Sequence, residues 1–267
     1  MRIARLLTPD GPTFALIDED TGTVTPAAGS PFEDGWQPTP TEGAAPIALA
    51  DAQLLAPTRP EKVVAVAKNY RAHAAEMGGE PPKQPMLFFK PPTSVVGVGH
   101  PIVLPRWSNE IHYEGELAAV IGRKAKDVAP EDALDYVLGY TCGNDVSARD
   151  AQRNDGQWAR AKGFDTSCPL GPWIVPAAEV DPQALTIRTE VNGSLVQEGS
   201  TADMITDVAH LIAYASAAFT LMSGDVILTG TPAGVGPIVD GDRVTVTISG
   251  IGSLDNPVAD AGTRTCD

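Results

Sequence analysis

Three carboxylates in the middle of the chain have the type and spacing to hold a metal ion. Glu114 and Glu116 flank Gly115 in Tyr113-Glu-Gly-Glu-Leu117, and Asp145 follows in Asn144-Asp-Val-Ser-Ala-Arg-Asp150. Alternate side chains of a strand share a face, so Glu114 and Glu116 can converge on one point. The apolar run Leu117 to Ile121 reads as a strand entering a core. Acids at the mouth of such a run need a partner, because unpaired buried charge is costly. A hard divalent cation such as Mg2+ meets that need through oxygen ligands and leaves positions open for a substrate. An E-x-E pair alone is more often a solvated strand face; its neighbours strengthen the metal reading.

Those neighbours are basic or amphoteric. Arg149 and Gln152 lie four and seven residues after Asp145, and Lys162 sits in Ala161-Lys-Gly-Phe-Asp165. His73 and Glu76 stand at i and i+3 in a segment that reads as a helix over residues 69–77, where such a pair can form a His–carboxylate base. The formal net charge is −15 over 267 residues. That acidity argues against nucleic-acid binding and against attraction to anionic membrane surfaces. An anionic substrate would have to be drawn in by local positive groups, for which Arg71, Arg149 and Lys162 are the candidates. Neither Ser94 nor Ser147 has a convincing histidine–acid partnership, so a serine-hydrolase triad is not supported. His112 shares the strand face of Glu114 and reads as a structural histidine rather than a group behind the metal ligands.

The elements that must position these groups are mostly strands. Ile3 to Leu7 and Thr13 to Ile17 are separated by the turn Pro9-Asp-Gly11. A Pro-, Ala-, Gly- and Thr-rich stretch over residues 25–59 follows, so we expect a small N-terminal β domain and linker (1–57) ahead of a catalytic domain (58–267). Residues 63–67 read as a buried strand leading into the 69–77 helix, which Gly78-Gly79 ends. Residues 185–197 read as a hairpin turning on Asn192-Gly193. Residues 203–222 carry an apolar stripe at helical spacing, with Thr201 or Asp203 as cap and Gly224 as terminator. Residues 226–229 and 244–248 read as further strands. The pattern is α+β rather than alternating βαβ. Cys142, Cys168 and Cys266 form no C-x-x-C pattern, which fits reduced thiols in the cytoplasm. No stretch approaches a membrane span or a signal sequence.

In combination, these motifs resemble the fumarylacetoacetate hydrolase family. The similar segments are Lys68-Asn-Tyr70 with His73 and Glu76, Leu87-Phe-Phe-Lys-Pro-Pro92, Tyr113-Glu-Gly-Glu-Leu117, the Asp145 motif, the Lys162 motif, and Leu228-Thr-Gly-Thr-Pro-Ala-Gly-Val-Gly236. They occur in the family's order over roughly residues 60–258. The resemblance implies a strand-rich mixed β-sandwich roll, commonly a homodimer, with Mg2+ or Mn2+ on Glu114, Glu116 and Asp145. It implies His73, Glu76 and Lys162 as catalytic residues, Arg71, Arg149 and Gln152 in substrate binding, and Thr231 with nearby backbone N–H groups gripping a substrate carboxylate. A plain turn at Pro232 is the other reading of that last segment. The implied substrates are small 2-oxo or dicarboxylic acids of aromatic-compound catabolism. Hydrolysis, isomerisation and decarboxylation all remain open, as does a non-catalytic carboxylate- or metal-binding protein on the same fold. Lys90 matches the family pattern without a role that the residues reveal.

Overall fold

The strand Gly115–Ile121 is buried along its whole length. Leu117, Ala119 and Ile121 enter one apolar cluster, while Ala118 and Val120 enter another on the opposite face. Covered faces explain why the run is apolar throughout rather than alternating. The structure, a computed structural model, describes residues 1–262. Cys266 lies outside the described residues.

This strand is central to an eleven-stranded sheet. It pairs antiparallel with Val137–Asn144 on one side and Val226–Leu228 on the other. Val226–Leu228 continues in parallel to Val63–Ala67, and Met86–Lys90 forms the edge. A five-stranded sheet built on the hairpin Thr186–Val191 and Ser194–Ser200 packs over it. Ile187, Val246, Ile248 and Leu254 meet Leu117, Tyr140 and Cys142 in the larger core, and the helix Val208–Ala218 adds Leu211, Ile212 and Ala215. The architecture is the strand-rich, mixed α+β arrangement that the sequence implies. The hairpin turns on Asn192 and Gly193, whose φ values of 53° and 78° suit Asn-Gly. Among the described residues no helix is long and apolar enough to cross a membrane.

Two helices are shorter than their patterns. The segment expected as helix over 69–77 is helical only at Arg71–Glu76. The one expected over 203–222 is helical at Val208–Ala218, capped by Asp207, whose side chain accepts from the His210 N–H. Thr201–Asp203 is a separate 3-10 turn. Asn69 explains the delay. Its backbone oxygen accepts from Ile205 N at 2.8 Å, and its side chain bonds both N–H and C=O of Thr206 at 2.9 Å, holding residues 205–206 out of the helix. At the far end, Phe219 is already extended, five residues before Gly224.

The N-terminal strands Arg2–Thr8, Gly11–Asp18, Thr23–Pro26 and Ile47–Ala48 extend the large sheet, meeting it where Ile3 pairs with Ile174. Ala4, Leu6, Ala15, Ile17 and Val24 form a small core of their own. On that ground we propose residues 1–57 as a separate folding unit.

Candidate active site

Glu114 stands at a break between two strands. Ile111–Tyr113 belongs to a three-stranded sheet, and the chain passes through Glu114 into Gly115–Ile121 of the large sheet. A Cβ at position 115 would collide with the Thr189 hydroxyl of the covering sheet, so glycine is required between the two acids. Gln197 fixes this turn: its Oε1 accepts from Gly115 N at 3.0 Å, and its Nε2 donates to Thr231 Oγ1 and Pro232 O, each at 2.8 Å. The register Gly115 to Asn144 then brings Asp145 beside Glu114, and Asp145 N donates to Glu114 O at 2.9 Å.

The result is a buried acidic triad. Glu114, Glu116 and Asp145 each offer a carboxylate oxygen, all within 4.8 Å of one another. Three cations oppose them. Lys162 Nζ lies 2.8 Å from Glu114 and 2.6 Å from Asp145. Lys90 Nζ reaches the other Asp145 oxygen at 2.6 Å, and the Arg149 guanidinium pairs with Glu114. Burial alone would push Glu114 up, but the charges of Lys162 and Arg149 outweigh it and hold its carboxyl well below the ordinary range. Glu116 is in the opposite condition. Burial, then the charges of Asp145 and Glu114, push its carboxyl well above the ordinary range, although Gly230 N donates to it at 2.7 Å. Lys162 is raised: burial works against its charge, but Asp145 and Glu114 override it.

These residues fit a divalent metal. The donors are all hard oxygens, suited to Mg2+ or Mn2+. The under-compensated carboxylate, Glu116, sits where an added cation would be most stabilising. With three carboxylates and three cationic groups the cluster is formally neutral, and a divalent ion would leave it at about +2, a charge suited to a dianion.

A cavity of about 270 Å³ opens over the triad. It brings together His73, Glu114, Glu116, Asp145, Arg149, Gln152, Lys162 and Thr231, with Lys68 and Trp158 in its wall. His73 is buried, and its Nδ1 lies 3.0 Å from Glu76 Oε2. Gln152 Oε1 accepts from Arg149 Nη1 at 2.8 Å and Arg149 Nη2 lies 2.5 Å from Glu114 Oε1, while buried Nε of Arg149 has no hydrogen-bond partner among the described residues.

Three expectations change. Arg71 is exposed and lines a different cavity with Glu198, Asp203 and Pro232, because the short helix turns its first residue away as it turns His73 inward. In the glycine-rich 229–236 loop two of the N–H groups are already taken within the chain: Gly230 N is bonded to Glu116 and Gly234 N to Glu76 Oε1 at 2.9 Å. Thr231 lines the cavity, but its hydroxyl donates to Gly115 O. Lys90 gains a role as the second partner of Asp145. Sequence reading missed Gln197, which is buried in an otherwise unremarkable strand; only its pairing across the sandwich reveals it. His112 Nε2 lies 3.6 Å from Glu110, and its buried Nδ1 has no hydrogen-bond partner among the described residues, so it is not a fully satisfied structural histidine. Cys142 and Cys168 are buried free thiols, pushed up to about 12 by burial.

A family model described as fumarylacetoacetate (FAA) hydrolase C-terminal matches residues 62–259, and one described as Rv2993c-like, N-terminal, matches residues 1–57. Protein Rv2993c of Mycobacterium tuberculosis is 52% identical, covering 98% of this chain and 99% of its own. Oxaloacetate tautomerase YisK of Bacillus subtilis is 40% identical, covering 84% of this chain and 79% of its own. The crystal structure of a 2-hydroxyhepta-2,4-diene-1,7-dioate isomerase from Mycobacterium marinum is similar at a TM-score of 0.88 and 50% identity, over 98% of this chain and 99% of that one. A maleylpyruvate hydrolase from Sphingobium sp. SYK-6, solved with manganese(II) and pyruvate, is similar at 0.81 and 34% identity, over 98% and 100%.

Proposed function

The chain belongs to the fumarylacetoacetate hydrolase C-terminal family, and from that premise we propose a divalent-metal-dependent enzyme that cleaves a carbon–carbon bond of acylpyruvate-type 2-oxo acids through an enolate. The observation that carries this reading is the placement of the His73–Glu76 pair and the Lys162 ammonium on one cavity above the acidic triad. A protein that merely bound carboxylates would need no base there.

Mg2+ or Mn2+, held by Glu114, Glu116 and Asp145, would supply Lewis-acid polarisation of the 2-oxo acid's oxygens. The chain's own residues do the rest. The Arg149 guanidinium, held in place by Gln152 and Glu114, offers its charge and its unpaired Nε to the substrate carboxylate. Lys162 stabilises the charge that develops on the enolate oxygen as the bond beyond C3 breaks. His73 removes a proton from the water that attacks the distal carbonyl, while Glu76 fixes the imidazole through Nδ1 and stabilises the imidazolium. His73 then returns the proton to C3, giving pyruvate and a carboxylic acid. Thr231 shapes the wall, and burial excludes bulk water.

A second reading has specific support. The similarity to an oxaloacetate tautomerase and to a structure named as an isomerase favours proton transfer at C3 without bond cleavage, with His73 as the base and the same enolate. The deciding experiment is a panel of acylpyruvates, fumarylpyruvate, oxaloacetate and an oxoheptenedioate, each with Mg2+, Mn2+ or chelator. Release of pyruvate from an acylpyruvate that stops on chelation supports hydrolysis. Enol–keto interconversion of oxaloacetate with no cleavage of any acylpyruvate would replace it with tautomerisation. No turnover of any member would leave a binding protein. We further propose a cytoplasmic homodimer.

A further inference from the structure

A second cavity, of about 770 Å³, lies between the N-terminal strands and the segment that follows Lys90, and shares no lining residue with the first. Arg5, Arg59 and His100 line it together with Leu55, Pro92 and Val96. In a chain with 34 acidic residues against 19 basic ones, this lining is unusual. Among the described residues, no acidic side chain lines the cavity and neither arginine has an ion-pair partner. Burial, then the charge of Arg59, lowers the Arg5 guanidinium below its ordinary value, so the two like charges are near enough to repel.

We propose that this junction cavity is a binding site for a small polyanion, a phosphate ester or polycarboxylate carrying two or more negative charges. Two guanidinium forks facing one space match carboxylate or phosphate oxygens bidentately. The mutual repulsion of the arginines is relieved when such an anion lies between them. The volume falls in the usual range for small-molecule sites, and the mostly apolar lining with a few convergent polar groups is the usual composition of one. The ligand would touch both folding units at once: Arg5 and Leu55 belong to the N-terminal segment, and Pro92 stands two residues from Lys90, the partner of Asp145.

Isothermal titration of the full-length, metal-free protein at fixed chloride, with inorganic phosphate, pyrophosphate and citrate as probes, tests this. We expect saturable binding of one pyrophosphate or citrate per chain, tighter than phosphate, and retained in Lys162→Met. Arg5→Gln/Arg59→Gln should weaken it by roughly tenfold or more, the scale of losing charge-assisted hydrogen bonds. Circular dichroism checks the fold of each variant, and Arg59→Gln alone, on an exposed side chain, provides the reading if the double variant unfolds. Absence of saturable binding, equal binding by the arginine variants, or loss of binding in Lys162→Met would overturn the proposal. So would a change of oligomeric state in the arginine variants with no anion bound by the wild type, which would make the cavity a contact for a second copy.

Discussion

At one end of the strand Gly115–Ile121, Glu114 faces Lys162 and Arg149 and Glu116 lies close to Asp145 without an ion pair of its own; at the other, Val120 and Ile121 enter apolar clusters. Both ends are equally buried. The core end is stabilised by area removed from water and is indifferent to direction. The charged end is held by a balance of large opposing terms, desolvation against Coulomb attraction, in which every partner matters. Removing a group from the first loses stability; removing one from the second should lose chemistry as well.

That contrast can be broken most forcefully at Asp145. Asp145→Asn keeps the volume but leaves Lys90 and Lys162 under-compensated. We expect metal-dependent turnover to fall to background, and stability to drop by about 3–5 kcal/mol in urea unfolding, as for a buried pair that loses one member. Unchanged stability would mean that the triad is wetter than its burial implies. His73→Ala comes next. It should slow acylpyruvate hydrolysis by ~10²–10⁴-fold, the usual contribution of a positioned base. Oxaloacetate decarboxylation, which needs no activated water, should be far less affected. Equal losses in both reactions would reject the water-activating role.

Lys162→Met should lower kcat by ~10²–10³-fold, the loss associated with one electrostatic donor, and, by removing a cation held against Glu114 and Asp145, should lower the metal concentration required. A near-normal kcat on the best substrate would make Lys162 a charge partner only. At the core end, Ile121→Ala should cost about 2–5 kcal/mol of stability while kcat of the folded fraction stays near wild type. A large fall in kcat there would show that strand packing transmits to the triad. The smallest effect belongs to the exposed pair on the hairpin. Arg188 and Glu198 are 2.7 Å apart at more than 45% exposure, and Arg188→Ala should change stability by no more than about 1 kcal/mol in the same unfolding assay.

Local signals were readable in the sequence. The Asn192-Gly193 turn, the buried strand over 117–121 and the His73–Glu76 spacing each follow from a few adjacent residues. What escaped lies far apart along the chain. Nothing near Asp203 shows that Asn69, 137 residues before Thr206, will hold the chain extended and leave the cap to Asp207. Nothing near Gly115 names Gln197, 82 residues on, as its hydrogen-bond acceptor. Lys90 and Asp145 are 55 residues apart and meet only through the sheet order. Arg71 shows the same limit at short range: two positions separate it from His73, yet on a six-residue helix they face different cavities.

The 229–236 loop fastens Glu116 through Gly230 N and Glu76 through Gly234 N. One stretch of backbone thus serves as the common hinge pin of the half proposed to hold the ion and the half proposed to move the proton. A shift of this loop displaces both together, so drift within it cannot tune ion affinity and base strength independently.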